Sequence, residues 1–459
     1  MKPVPVRDPA WPVAETLNDQ GLLLGWSLAA KRTMDQMGFV TPGDTAEDRL
    51  GPILHKDGGH LMSFAPTGAG KGIGAVIPAL LSYAGPVIVV DPKGENYAVT
   101  ARHRREMGQQ VVCLDPFDSI QDEHADAAFN PLDLLDPAAP NVADDAMMLA
   151  EALSYQTTMD KDPFWHTRGK QLLAGFILHV ASSMPPQLRT LEEVAYQLNQ
   201  TREDLKSTFR SMAGSPFPLV KATPSIIAHS AQRMADSILA MSQTNLSFLG
   251  SKTVEAATES SSFDPLAVTR GEPLSIYLII PPEKLESHAP LLRIWIAALM
   301  KLIFNRREKV ERSTLFILDE AAQLGNFPLL RQAITLLRGY GLQTWSFWQD
   351  LSQLKRLYEH EWETMYNNCR AHQYFGITTP YLAEQIARLT LHDDMFEILD
   401  LDHDEMLLSL AGRRPIIAQR PNYLTDTPFQ GRFDPNPYHQ PQDLDQIKPR
   451  RGQRDYQPE

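Results

Sequence analysis

The segment Ala65-Pro66-Thr67-Gly68-Ala69-Gly70-Lys71-Gly72 is the most informative part of this chain. It follows a short apolar run and precedes a helical pattern, so we expect a loop between a strand and a helix. The glycines allow a tight turn that directs backbone N–H groups at an anion, with the helix N-terminus behind them. The pattern predicts a phosphate-binding loop in which Lys71 reaches the β- and γ-phosphates of a nucleotide.

The segment departs from the usual phosphate-loop pattern, G-x-x-x-x-G-K-[ST], at both ends. Ala65 stands in place of the first glycine, and Gly72 stands in place of the hydroxyl residue that normally binds magnesium. A glycine-rich turn with a solvated lysine is the alternative interpretation of the segment alone. The residues predicted to surround the nucleotide are Pro66, Thr67, Gly68, Ala69, Gly70, Lys71, Gly72 and Ile73.

A second motif lies at residues 314–320, where an apolar run ends in Asp319 and Glu320. Asp319 at the end of a strand would hold Mg²⁺ through a bound water, and Glu320 would polarise the water that attacks the γ-phosphate. A solvent-facing turn is the alternative for an isolated Asp-Glu pair. Together, the two motifs predict an ATPase that uses ATP and Mg²⁺.

The alternation of apolar runs and helical patterns from residue 60 onwards is typical of an α/β fold. Residues 141–265 interrupt this alternation, because only helical periodicity is found there, including one continuous pattern over residues 226–248. We therefore predict four parts: a lead-in of residues 1–50, a nucleotide-binding domain of residues 51–140 and 266–434, an all-α domain of residues 141–265 inserted into it, and a disordered tail of residues 435–459.

The amino-acid composition limits which partners this protein can bind and in which cellular compartment it works. The formal net charge of -13 argues against a protein that coats duplex DNA, so any contact with DNA would be local, for example inside a pore. Cys113 and Cys369 are far apart and fit a reducing cytoplasm better than a disulfide framework. Arg293 and Lys301 interrupt the longest apolar helical pattern, so we predict no membrane-spanning segment and a cytoplasmic protein.

Further stretches resemble the type IV coupling proteins, the ATPases of conjugative DNA transfer and type IV secretion. Each stretch is weakly specific, whereas the ensemble, which runs from about residue 21 to residue 436, is highly specific. The stretches that carry the resemblance are residues 71–81, 87–95, 129–132, 276–282, 318–325, 338–341, 349–354, 412–415 and 422–423.

The resemblance implies a RecA-like P-loop domain of the additional-strand type, an inserted all-α domain facing the cytoplasm, and a hexamer with DNA in its channel. It also implies that Gly72 need not inactivate the site, because members of this family include chains with glycine after the loop lysine. Most members begin with membrane-spanning helices. We therefore expect a variant without that region, which is either docked at the inner membrane by a separate membrane protein or serves a machine that needs no anchor.

The resemblance assigns roles to residues outside the two motifs. Gln349 would sense the γ-phosphate, although a capped turn is the alternative. Arg338 would act as an arginine finger on a neighbouring subunit, whereas a cation at a helix C-terminus is the alternative. Asp91, Lys93 and Glu95 follow a strand and would line the nucleotide site, since ligands bind at the carboxyl edge of a parallel sheet. A simple Pro-Lys-Gly turn explains them equally well.

Three functions remain open at this point. The first is a motor that drives DNA, with its bound relaxase, into a type IV secretion machine. The second is an ATP-dependent receptor for secreted protein substrates, which the acidic charge mildly favours over the first. The third is a nucleotide-binding assembly scaffold without hydrolysis, against which the intact Lys71, Asp319, Glu320 and Gln349 argue.

Overall fold

The computed structural model describes residue 17 and residues 21–27, 51–154 and 163–438. Most of the predicted lead-in, and the predicted tail beyond residue 438, lie outside the described residues. One mixed sheet of 11 strands forms the centre of the molecule. The strands are β1 (Leu22–Ser27), β2 (Pro52–His55), β3 (Leu61–Phe64), β4 (Val87–Val90), β5 (Gln110–Leu114), β6 (Leu274–Leu278), β7 (Thr314–Leu318), β8 (Leu342–Trp348), β9 (Ala371–Tyr374), β10 (Glu405–Leu410) and β11 (Ile416–Gln419).

Helices connect most of these strands. The first, α1, runs over Gly72–Ser82 and begins with a π-helical turn at Gly72–Val76. The others are α2 (Glu95–Glu106), α3 (Val142–Leu153), α4 (Pro163–Ser183), α5 (Leu191–Leu198), α6 (Arg202–Ala213), α7 (Pro218–Ala228), α8 (Gln232–Thr244), α9 (Lys252–Glu259), α10 (Leu266–Arg270), α11 (Leu285–Phe304), α12 (Pro328–Leu336), α13 (Leu351–Leu357), α14 (Trp362–Asn368), α15 (Pro380–Thr390) and α16 (Met395–Leu399).

The order of strands is β2-β1-β11-β10-β9-β3-β8-β7-β4-β6-β5. Strands β9, β3, β8, β7, β4, β6 and β5 are parallel to one another. Strand β8 lies between β3, which leads into the glycine-rich loop, and β7, which leads into the Asp-Glu motif. This inserted strand is the feature that defines the additional-strand class, so the predicted fold class is confirmed.

The parallel strands are apolar along their whole length because both faces of the sheet are covered. In β4, Ile88 and Val90 belong to one core cluster, whereas Val87 and Val89 belong to the cluster on the other face. Side chains of successive strand residues point to opposite faces, so a continuous apolar run fills both cores. Burial of both faces leaves the strand ends as the accessible part of the sheet.

The antiparallel edge of the sheet includes one strand, Leu22–Ser27, from the predicted lead-in. Strand β1 pairs with β11 on one side and with β2 on the other. Strands β10 and β11 form a hairpin that continues the sheet from β9. The local sequence did not predict these four strands, because each is only four to six residues long. In addition, β1 meets its partner β11 across most of the length of the chain.

Residues 141–265 contain helices α3 to α9 and, in the part that the structure describes, no strand. The single helix predicted over residues 226–248 is wrong, because the extended residue Ala231 separates α7 from α8. The Ser230 hydroxyl donates to the Ile226 carbonyl (2.7 Å) and satisfies the end of α7. The boundaries at residues 141 and 265 remain a proposal.

Helix α11 packs against both the sheet and the helices of residues 141–265 (the helical unit). Within the described residues, Pro282–Phe304 is the one stretch long and apolar enough to cross a membrane, and 72% of its apolar window is buried. Arg293 is 1% exposed, and Lys301 forms an ion pair with Asp145 of α3 (2.6 Å). Burial inside the molecule identifies this stretch as a core helix, and the core runs continuously from the sheet into the helical unit.

Candidate functional site

Most of the predicted site residues converge at one edge of the sheet. The glycine-rich loop follows β3, Asp91 follows β4, Asp319 follows β7 and Gln349 follows β8. These strands are parallel, so their carboxyl ends lie at the same edge. Ligands of open α/β sheets bind at this edge, and the convergence there defines the candidate site.

The glycine-rich loop has the backbone of an anion-binding turn. Gly68 (φ 81°) and Gly70 (φ 77°) adopt left-handed conformations that side chains with a Cβ rarely tolerate. The Ala69 N–H donates to the Pro66 carbonyl (3.2 Å), and the Ala65 N–H, at the start of the loop, donates to the Trp348 carbonyl (2.8 Å). The loop is thereby anchored to the additional strand β8 and leads directly into α1.

Lys71, Glu320 and Gln349 form a connected group at this edge. The Lys71 ammonium donates to Glu320 Oε1 (2.6 Å), and the Gln349 amide donates to Glu320 Oε2 (3.2 Å). The Lys71 side chain is 10% exposed and that of Glu320 is 23% exposed, so the pair is partly shielded from water. A phosphate bound in the loop and the Glu320 carboxylate would compete for the same ammonium group.

Glu320 has an unusual backbone conformation. It is one of the few non-glycine residues with a positive φ, and its φ of 59° and ψ of 51° place it in the left-handed helical region. Such a conformation costs on the order of 1–3 kcal/mol and persists where the surrounding structure enforces it. In this conformation the carboxylate contacts both Lys71 and Gln349.

The side chain of Gln349 and the turn after it have separate tasks. Asp350 Oδ1 accepts from the Gln353 N–H (3.0 Å) and caps α13. The backbone N–H of Gln349 donates to Gln353 Oε1 (2.9 Å). The side-chain amide of Gln349 is the group that contacts Glu320. The capped turn is therefore present, and the role of Gln349 as a sensor of the γ-phosphate stays a prediction.

The carboxyl groups of Asp319 and Asp91 have raised pKa values, and Asp91 is fully buried. Burial, supported by the negative charges of Glu320 and Glu95, raises the pKa of Asp319 to about 6, and Lys71 opposes this shift. Burial raises the pKa of Asp91 to about 7, although hydrogen bonds from Tyr97 and Asn96 oppose this, and Asp319 and Glu95 add to it. The site therefore concentrates negative charge that a cation would neutralise.

Asp91, Lys93 and Glu95 differ in what they contact. Asp91 accepts hydrogen bonds from the Asn96 side chain (3.1 Å) and from the Tyr97 N–H (2.8 Å), so it stabilises the N-terminus of α2. Lys93 is exposed, and its carbonyl accepts from the Tyr438 hydroxyl (3.0 Å). Glu95 is the residue of the three that faces the glycine-rich loop, as shown by its position beside Gly72.

Arg420 contacts the glycine-rich loop and was not predicted as a site residue. Its guanidinium donates to the Gly70 carbonyl (2.7 Å) and to the His403 carbonyl (2.9 Å), and it lies 4.1 Å from the ring centroid of Phe375. Strand β11 runs in the same direction as β3, so the residue after it reaches the carboxyl edge. A Cβ at position 74 would lie 2.4 Å from this guanidinium, which explains the glycine there.

Arg420 also illustrates how far apart in the chain the site residues lie. Burial lowers its pKa to about 10, with Asp404 opposing the shift, so it remains a cation at neutral pH. It is separated from Gly70 by 350 positions, and no local pattern indicates the contact. The resemblance at residues 412–415 and 422–423 brackets Arg420 and is the one signal in the sequence that could have drawn attention to it.

We expect Arg420→Met to loosen the loop, because methionine keeps apolar bulk but loses the hydrogen bonds to Gly70 and His403. A lost hydrogen bond to a charged group costs about 1.5–3 kcal/mol, so the affinity for a nucleotide should fall by roughly tenfold or more. Titration with a fluorescent ATP analogue measures this. Arg414→Met, at an exposed position on the same hairpin, is the matched control. Equal affinity in both variants would contradict a role in the loop.

Arg338 does not lie at this edge. It belongs to a short 3-10 helix, Arg338–Tyr340, which immediately precedes β8 and so lies at the amino edge of the sheet. The seven residues of β8 span about 20 Å. The backbone of Arg338 is therefore too far from the site of its own chain for a direct role there, which leaves the predicted action on a neighbouring subunit as a proposal.

The carboxylates of the site fit a magnesium ion that arrives with a nucleotide. Among the described residues, no group of three or more His, Cys, Asp or Glu side chains is arranged to hold a metal ion by itself. Asp319 Oδ1 is buried and accepts no hydrogen bond from the described residues. Oxygen is the ligand that Mg²⁺ prefers, usually as one or two carboxylates together with water and phosphate. Asp319 is thus the residue that would hold the magnesium ion.

The fold and the site together define a P-loop nucleotide-binding protein of the additional-strand, RecA-like class. The family described as Type IV secretory system Conjugative DNA transfer matches residues 25–393. This match covers most of the chain, and the chain belongs to that family. The resemblance stated from the sequence is therefore confirmed.

Relatives with assigned names agree with the family. Over 359 residues the chain is 24% identical to a conjugal transfer protein TraG of Escherichia coli, a match that covers 74% of this chain and 56% of the relative. Over 419 residues it is 25% identical to a protein VirD4 of Rhizobium radiobacter, covering 82% of this chain and 58% of the relative. The chain thus spans a little over half the length of these relatives.

Solved structures confirm the fold. The bacterial conjugative coupling protein TrwBdeltaN70, in an unbound monoclinic form, superposes with a TM-score of 0.63 at 19% identity, over 81% of this chain and 87% of that one. The plasmid coupling protein TrwB in complex with ADP and Mg²⁺ superposes with a TM-score of 0.62 at 19% identity, over 80% and 85% of the two chains. The arrangement of a RecA-like domain with an inserted helical unit is shared with these proteins.

Proposed function

We propose that this chain is the ATP-hydrolysing motor of a coupling protein, and that it drives DNA with its bound relaxase into a type IV secretion machine. The observation that carries the proposal is the convergence of Lys71, Glu320 and Gln349 at the carboxyl edge of the sheet. Membership of the conjugative DNA transfer family supports the DNA substrate. The nucleotide and Mg²⁺ in the TrwB complex support ATP and Mg²⁺ as the ligands here.

In this proposal the residues of the site divide the chemistry among them. The loop N–H groups and Lys71 bind the phosphates, Glu320 orients and polarises the attacking water, and Gln349 links Glu320 to strand β8. Mg²⁺, when bound, neutralises negative charge on the phosphates. Asp319 would hold that ion, which would also offset the negative charge of the neighbouring carboxylates Glu320 and Glu95.

The test of the proposed function is an ATPase assay with and without single-stranded and duplex DNA. Stimulation by either DNA, lost in the Lys71→Ala variant, is the expected result. Basal hydrolysis that DNA does not change, but that a cognate secreted protein increases, would favour the receptor for protein substrates instead. Nucleotide binding with no hydrolysis under any condition would identify a scaffold.

The proposed motor acts as a homo-oligomer, with a hexamer as the active form, and DNA passes through its pore. The formal net charge of -13 argues that an isolated subunit binds DNA weakly. Binding should therefore depend on oligomerisation and fall steeply with salt, because cations released from DNA drive it. In this proposal the motor works in the cytoplasm, at the inner-membrane secretion machinery, through partner proteins that include a membrane anchor.

Arg338 provides the test of assembly. If it completes the site of a neighbouring subunit, mixing Arg338→Ala with Lys71→Ala subunits should restore part of the ATPase activity, because some interfaces regain both groups. The measurement is the ATPase rate against the mixing ratio. Mixed rings, verified by two different affinity tags, that stay inactive at every ratio would exclude a role for Arg338 across the interface.

A further inference from the structure

Position 72 is where the chain lacks the hydroxyl group that other phosphate loops supply to magnesium. Gly72 has no positive φ, so its backbone does not require glycine. A Cβ built on it would lie 3.6 Å from Glu95 Oε1 and 3.9 Å from Glu95 Cδ, which is ordinary van der Waals contact. The Glu95 carboxylate therefore occupies the space beside the place where a serine hydroxyl would lie.

The fold holds Glu95 in that place. Glu95 is the first residue of α2, directly after Gly94 in the left-handed conformation (φ 67°). The Asn436 amide donates to Glu95 Oε1 (2.6 Å) and to the Tyr423 hydroxyl (3.1 Å). The chain after β11 thus returns to the site and orients this carboxylate, although Asn436 belongs to the segment predicted to be a disordered tail.

Asp319 is an independent sign that a cation belongs here. Its Oδ1 is buried and has no hydrogen-bond donor among the described residues, although the residue as a whole is part-exposed. A buried carboxylate oxygen without a donor is costly, unless a ligand such as a cation or an ordered water meets it. Lys71, the nearest lysine on the loop, is already paired with Glu320 (2.6 Å).

We propose that Glu95 performs the metal-binding task that a Ser or Thr at position 72 performs in other phosphate loops. With Asp319, it holds the divalent cation that accompanies the nucleotide, directly or through a bound water. This inference rests on the proposed nucleotide-binding function and adds a residue to it. The competing explanation is that Glu95 only stabilises the N-terminus of α2, where an acidic residue is favourable.

The first test replaces Glu95 with glutamine, which preserves the side-chain size and an acceptor for Asn436. The readout is Mn²⁺ affinity of the protein–ADP complex, measured by electron paramagnetic resonance as loss of the free Mn²⁺ signal. We expect the affinity to fall on the order of 10- to 100-fold, the range for lost groups around a metal ion. The affinity for ADP in EDTA should stay at the wild-type value or increase, since negative charge near the phosphates is removed.

A matched control is Glu106→Gln at the other end of α2, where Glu106 is half-exposed and pairs with Arg102. It removes the same charge from the same helix and should leave the Mn²⁺ affinity unchanged. Wild-type Mn²⁺ affinity in Glu95→Gln would overturn the inference, and loss of thermal stability alone would identify a helix-capping role. A wild-type protein that binds no nucleotide would instead reject the proposed function itself.

The second test is a rescue. Gly72→Ser in the Glu95→Gln background places a hydroxyl where the carboxylate acted, and the space around position 72 accepts its Cβ. We expect the Mn²⁺ affinity to recover by at least half of the lost factor on a logarithmic scale. Gly72→Ala in the same background adds the same Cβ without the hydroxyl and should give no recovery. Equal recovery by alanine would overturn the assignment.

Discussion

A Glu320→Gln variant should bind ATP about as well as the wild-type protein, while its rate of hydrolysis falls on the order of 10²-fold or more. Glutamine keeps the shape of the side chain and can still contact Lys71 and Gln349, which hold Glu320 in the structure. It cannot accept the proton of the attacking water. Turnover under saturating ATP, together with equilibrium binding of ATP, separates the two effects.

The matched control for this variant is Glu311→Gln. Glu311 is 90% exposed and precedes β7, so it lies near the opposite end of the strand that leads into Glu320. It should hydrolyse ATP at the wild-type rate. A Glu320→Gln protein with wild-type turnover would remove the central residue of the proposed mechanism, and the base would have to be sought elsewhere in the site.

A Lys71→Ala variant should lose both binding and turnover. Lys71 contacts the phosphates of the bound nucleotide in the proposal, and a lost hydrogen bond to a charged group costs about 1.5–3 kcal/mol, or roughly 10- to 100-fold in ATP affinity. Charge that develops in the transition state adds to this, so the rate should fall on the order of 10²-fold as well. The measurement is a titration with ATP followed by single-turnover kinetics.

The control for Lys71→Ala is Lys309→Ala at the amino edge of the sheet, where Lys309 is exposed. Its ATP affinity and turnover should match the wild-type values. The comparison of the two motif variants is informative in itself, because Lys71→Ala should affect binding and Glu320→Gln should not. If both variants weaken ATP binding equally, the Lys71–Glu320 pair has a structural role in shaping the loop.

The class of the fold and the main residues of the site could be predicted from the sequence because they depend on local patterns. Apolar runs that end in a glycine-rich loop or in Asp319-Glu320 specify parallel strands with functional carboxyl ends. The loop glycines at positions 68 and 70 have the positive φ values that their residue type suggests. The helical periodicity of residues 164–182 likewise predicted α4, which spans Pro163–Ser183.

The tertiary structure decided how distant parts of the chain meet at the site. Glu320 pairs with Lys71 across 249 positions, Asn436 reaches Glu95 across 341, and Arg420 reaches Gly70 across 350. Periodicity and turn chemistry report on neighbours within a few residues, whereas these contacts depend on strand order and on the antiparallel edge of the sheet. The sequence by itself determined that Lys71, Asp319 and Glu320 are present at strand ends. Only the packing of the sheet edge and the returning chain placed Arg420 under the loop and Glu95 beside Gly72.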